Sequence, residues 1–163
     1  MMLGLSLHAV TVLHVIISLI GIVSGLVVLS GLFKSQSMPG MTALFLLTTI
    51  LTNATGFMFP FEKLLPSHII AILSLVLLAI ACFALYGQKL AGAWRSIYVI
   101  TAITSLYLNV FVLVIQSFLK IPALTAVAPG NPPSGPVFAV VQGVVLVFFV
   151  LMIIGAVRRF RPA

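Results

Sequence analysis

Imidazoles and amides stand inside otherwise apolar stretches of this chain, and besides His8 and Gln142 five of them are candidates for a site: His14, His68, Asn53, Asn109 and Gln116. Neutral imidazole is both a metal ligand and a group that titrates near physiological pH. Two helices presenting one histidine each, His14 and His68, therefore carry the ligand types for a b-type haem. The structural alternative is an imidazole hydrogen-bonded to a Ser, Thr or Asn across a helix bundle. Amides divide the same way: they clamp neighbouring helices, or they line a pocket for a quinone, a lipid headgroup or a small polar metabolite. Met58 and His68 add a thioether and an imidazole for Cu(I), too few ligands for a good site. No HExxH, P-loop, dinucleotide fingerprint or Ser/His/acid arrangement occurs in the sequence. The residues thus point to binding rather than covalent catalysis, and an enzyme reading would rest on a bound cofactor.

The elements that must position these groups follow from composition. Of 163 residues, 63% are hydrophobic and 6% charged, with eight Lys+Arg against one Asp+Glu. A soluble domain carries about 25% charged residues, so this chain is expected to be an all-α integral membrane protein forming one transmembrane domain. The nine prolines fall between long apolar runs and never inside one, which marks the connections. The runs at 8–32, 41–59, 67–86, 96–118 and 137–157 each approach the ~20 residues that cross a ~30 Å hydrocarbon layer. A five-transmembrane-helix bundle is therefore predicted; a β-barrel would show alternating segments of ~10 residues instead. The stretch 120–136 reads as an interfacial turn of helix followed by a Pro-rich strap. The N-terminal residues lack the Lys/Arg of a signal peptide, so the first run is expected to remain as a span. A single cysteine, Cys82, excludes an internal disulfide and a CxxC redox centre.

The net charge of +7 is spread singly along the chain until Arg158, Arg159 and Arg161, a topology signal rather than a nucleic-acid patch. With five spans, Lys34, Lys89, Arg95, Arg158, Arg159 and Arg161 share one side of the bilayer, leaving Lys63 and Lys120 opposite. The N-terminus is then outside and the C-terminus cytoplasmic. In this frame the imidazoles and amides collect in the outer half of the bundle. Thr101, Ser105, Asn109, Gln116 and Lys120 recur at helical spacing on the fourth run, and His14, Ser18, Gly21 and Gly25 on the first. Gly21 and Gly25 form a GxxxG match that permits close backbone approach. No Asp, Glu, Lys or Arg lies inside any run, whereas ion-coupled carriers usually keep one there.

The strings from Gly56 to Phe61, Leu65 to His68, Gly92 to Val99, Leu108 to Phe111 and Gln116 to Leu124 resemble those of small multi-span bacterial inner-membrane proteins to which no activity is assigned. The resemblance covers roughly half the chain and implies a bacterial inner membrane, without implying a cofactor or catalytic residue. Three functions are weighed: a pocket for quinone, haem or lipid lined by His14, Asn53, His68, Asn109 and Gln116; an accessory subunit or homo-oligomer packing through Gly21, Gly25 and the fourth helix; and a small-solute transporter. The first is preferred. The lipid bilayer is the expected partner in all three. The charge bias makes one direct prediction: a reporter fused after Ala163 is active in the cytoplasm and silent outside, and the reverse result would invert the assignment of both ends.

Overall fold

The computed structural model describes residues 7–36, 38–56, 66–130 and 135–160, and contains no strand among the described residues. Its helices are α1 (Leu7–Phe33), α2 (Pro39–Gly56), α3 (Pro66–Cys82), α4 (Trp94–Lys120), the short α5 (Pro122–Val127) and α6 (Pro136–Arg159). Pro39, Pro66, Pro122 and Pro136 each open a helix, where the fixed φ suits the first turn and the missing N–H has no partner to lose. α3 runs on into a π-helical turn, Phe83–Gly87, closed by the Gln88 N–H on Phe83 O at 2.8 Å. The second expected run ends in residues 57–59, and part of the Pro-rich strap is residues 131–134; both lie outside the described residues.

Four helical stretches are long and apolar enough to cross a membrane: Ala9–Phe33, Ile69–Gly87, Trp94–Phe118 and Pro136–Arg159. The chain is accordingly a multi-pass membrane protein. Large apolar side chains cover its outside, including Val23, Leu47, Val140, Val144 and Leu151, each more than half exposed. Such a surface suits lipid tails and not water. α2 is shorter, at 18 residues, and diluted by Thr42, Thr48, Thr49, Thr52, Asn53 and Thr55.

The reason α2 can be so polar is its position. It packs along α1, and also against α3 and α4, with Thr42, Thr48, Thr49 and Thr52 buried and Leu44, Leu47 and Leu51 outward. Its partner pairs run in opposite directions along the two helices: His14 meets Thr55, Gly21 meets Thr48 and Thr49, Gly25 meets Phe45 and Gly31 meets Met38. α4 is central, packing against α1, α2, α3 and α6. Along its α6 side, Phe118 meets Phe138, Tyr107 meets Phe149 and Tyr98 meets Phe160, again antiparallel. Phe45, Leu78, Val99, Ile103 and Leu106 form the apolar centre.

Gly21 and Gly25 do provide a close approach, but within the chain. A Cβ on Gly25 would stand 2.8 Å from Leu106 Cδ1 and 2.9 Å from Phe45 Cδ1. Thr101 and Ser105 of the fourth-helix stripe are buried inside the bundle as well. Gly21, Gly25, Thr101 and Ser105 are thus packed inside the chain, while Asn109 and Gln116 of the same stripe are half-buried. Because Phe45 and Leu106 are fully buried, they have little room to yield. Gly25→Ala should lower stability by about 1–3 kcal/mol from overpacking. Gly143, with nothing within 4 Å of its would-be Cβ, serves as the control: Gly143→Ala should be neutral or stabilising through helix propensity. Reversible unfolding in mixed micelles reads both, and equal effects would contradict this packing.

Candidate functional site

The polar groups singled out in the sequence form a layer toward the end of the bundle where α1 begins and α2 ends. His14 is half-buried, with Nδ1 2.7 Å from Thr55 Oγ1. Asn53 donates through Nδ2 to Thr49 O at 2.8 Å and to Ser74 Oγ at 3.1 Å, joining α2 to α3. Asn109 Nδ2 donates to Ser18 O at 3.5 Å, joining α4 to α1. Gln142 Nε2 donates to Phe111 O at 3.3 Å, tying α6 to α4. Gln116 is half-buried two turns beyond Asn109 on α4. The imidazole of His14 and the amides of Asn53 and Asn109 each bond to a neighbouring helix. His68 lies in the first turn of α3, and its side chain is outside the described residues.

α1, which carries His14, packs against α2, α4 and α6, and α3, which carries His68, packs against α2 and α4. Among the described residues no group of three or more His, Cys, Asp or Glu gathers into a metal site. Close by, Gly21 leaves space that a Cβ would fill at 3.2 Å from Thr49 Oγ1, 3.3 Å from Thr48 Oγ1 and 3.5 Å from Asn109 Nδ2. Thr48 bonds back to Leu44 O at 2.7 Å, whereas the fully buried Thr49 hydroxyl has no hydrogen-bond partner.

A cavity of about 230 Å³ lies at the opposite end. Val28, Leu32 and Gln36 line it from α1 and its C-terminal connection, and Met38, Pro39 and Thr42 from the start of α2. Leu85, Tyr86 and Leu90 come from the π-helical turn and its exit, Tyr98 from α4, and Phe160 from the end of α6. The walls are mainly apolar. The polar groups on the walls are Gln36, Thr42, Tyr86 and Tyr98, of which Thr42 and Tyr98 are buried. Leu90 reaches the wall from a left-handed backbone conformation, φ +61°, with Lys89 beside it at φ +53°. That geometry is costly for a bulky residue, and it is held by the Leu90 N–H on Ala84 O at 2.9 Å.

Phe160 is brought to this cavity by Arg95. Its guanidinium Nη1 donates to Val157 O at 2.9 Å and to Phe160 O at 2.7 Å, capping the carbonyl end of α6 with positive charge. Phe160 is buried and lies 6.4 Å, centroid to centroid, from Tyr98. Nearby, the Arg159 guanidinium stands 5.9 Å from the Phe33 ring, and Phe33 fills the notch left by Gly155. An apolar void of about 150 Å³ is enough to take up benzene, while drug-sized ligands occupy roughly 300–1,000 Å³. This space is of a size to accept a short apolar segment.

The residue pattern did not identify this cavity. Its walls come from three stretches remote in sequence, 28–42, 85–98 and 160, and mainly apolar walls leave little polar signature. No family model, curated protein or solved structure matches the chain. The Arg95 clasp is directly testable. Arg95→Gln removes a charge-assisted pair of hydrogen bonds, each worth about 1.5–3 kcal/mol, so amides of residues 157–160 should exchange with deuterium markedly faster. Unchanged protection there would mean that the end of α6 is held by packing alone.

Proposed function

We propose that this chain is a five-span membrane protein that holds the apolar end of a lipid-like molecule in the cavity between the ends of α1, α2 and α4. The observation that carries the reading is the cavity's makeup: about 230 Å³, mainly apolar walls, and a position among the basic connections. A quinone ring needs donors aimed at its carbonyls, whereas the greater part of these walls is apolar. An acyl chain needs none, since its burial is driven by packing and the hydrophobic effect.

Support for α2 as the fifth span comes from its antiparallel pairing along α1 and from its length. Its 18 residues rise about 27 Å, near the ~30 Å hydrocarbon thickness, and its hydroxyls face inward. Five spans with the cationic connections in the cytoplasm leave the N-terminus outside. The resemblance to bacterial inner-membrane proteins favours that membrane. On this reading the protein is a binding protein, not an enzyme. A second reading, an accessory subunit of a membrane complex, is favoured by α6, the least buried of the four long apolar stretches. Its outer face, with Val140, Val144, Val147 and Leu151 exposed, is broad enough to meet another apolar helix.

Native mass spectrometry of protein extracted in a non-lipid detergent tests the first reading. One lipid-mass adduct per chain is expected. Val28→Phe and Leu32→Phe, each filling the cavity from a buried wall position, should lose it. Wild-type protein that takes up no adduct when lipid is supplied, or Phe variants that keep it, would overturn the assignment.

A further inference from the structure

Resting on that reading of the cavity, we infer that its occupant is an anionic lipid, with the headgroup held by the cations around the mouth. Three separate chain segments wall the cavity, and each carries a cation beside its wall residue. Lys34 is two residues from Gln36, Lys89 adjoins Leu90, and Arg159 adjoins Phe160. All three cations are exposed. The left-handed residues Ser35 and Lys89 turn the two connections that present the lysines, and the cation–π contact at 5.9 Å sets Arg159 over Phe33.

Among the described residues no acidic side chain stands against them. The sequence holds one Asp+Glu, Glu62, and it lies outside the described residues, in the connection at the opposite end of α2. Arg95 is excluded from the headgroup set because its guanidinium is spent on Val157 O and Phe160 O. A rim of like charges in the absence of an internal counterion is self-repelling, and a phosphate headgroup relieves that repulsion. The cavity is large enough for only the end of one chain. The rest of the molecule must lie along the apolar surface and its headgroup at the boundary, where the cations are. A zwitterionic lipid satisfies the cavity equally well but not the rim. A free phosphate ion satisfies the rim and leaves the cavity empty. The anionic lipid alone matches both.

The chain's single tryptophan, Trp94, reports on this site. It is one helical turn from Tyr98, and its ring packs edge-on to Phe83 at 5.2 Å. Full-length protein is reconstituted in phosphatidylcholine vesicles containing a small fraction of either brominated phosphatidylglycerol or brominated phosphatidylcholine. At equal mole fraction, the anionic lipid should quench Trp94 severalfold more. Each rim cation is expected to contribute about fivefold in affinity. The triple variant Lys34→Gln, Lys89→Gln, Arg159→Gln should therefore bring the quenching ratio close to one, and inorganic phosphate should not compete with the lipid. Equal quenching by the two lipids in wild type, with quenching by both reduced in Val28→Phe, would overturn the anionic preference while leaving the cavity reading standing. Quenching that neither Val28→Phe nor Leu32→Phe alters would overturn both. Lys34, Lys89 and Arg159 are exposed, so single substitutions there leave the packed interior untouched, and a preference for phosphatidylglycerol that survives all of them would also refute the rim. Competition by inorganic phosphate would assign the cations to a free anion instead.

Discussion

In a hydrocarbon environment every backbone polar group must find its partner inside the protein, because no water is present to replace a missing hydrogen bond, and most polar side chains here do the same, the buried Thr49 hydroxyl being an exception. That constraint explains how a helix as polar as α2 is placed. Thr48 and Thr52 return their hydroxyls to the carbonyls of Leu44 and Thr48 at 2.7 Å, and Ser24 and Thr101 do the same on α1 and α4. The amides, whose reach is longer, cross to neighbouring helices. α2 is surrounded by α1, α3 and α4 because only there are its hydroxyls shielded from lipid. The central position of α4, with Tyr98, Val99, Ala102, Ile103, Ser105 and Leu106 buried, follows from the same need.

The two ends of the bundle resolve the constraint differently. Toward the start of α1, imidazole, amide and hydroxyl groups fasten α1, α2, α3 and α4 to one another. Toward the start of α4, the fastening is done by charge and aromatic packing: Arg95 on the carbonyl end of α6, Arg159 on Phe33, and Phe160 beside Tyr98. Packing by large rings and turning backbones is less regular than packing by small residues such as Gly21 and Gly25. The cavity lies at this second end, where the π-helical turn and the left-handed Leu90 pull the wall away from ideal helix geometry. π-helical turns recur at functional sites in other proteins for a related reason: they re-aim side chains that a regular helix would align.

Much of the fold was legible in the residues. The prolines opening α2, α3, α5 and α6 bounded the helices, and the short helix after Lys120 was signalled by Ile121 and Pro122. The polar stripes marked the inward faces of α1, α2 and α4. The use of the groups on those faces was less legible, because a hydrogen-bonding side chain reads the same in a sequence whether its partner is a neighbouring helix or a ligand. Asn53 became a clamp because Ser74 stands 3.1 Å away, and no spacing rule connects residues 53 and 74.

The residues alone determined that this chain lives in a bilayer, where its helices begin, and which faces turn inward, since these depend on local composition and on the 3.6-residue period. Tertiary structure decided which helices are neighbours, that the GxxxG surface is spent within the chain, and that the cavity opens among the cationic connections. Those outcomes depend on side chains far apart in sequence meeting at a few ångströms, as Gly25 meets Phe45 and Leu106, and distance in space is not written in local pattern.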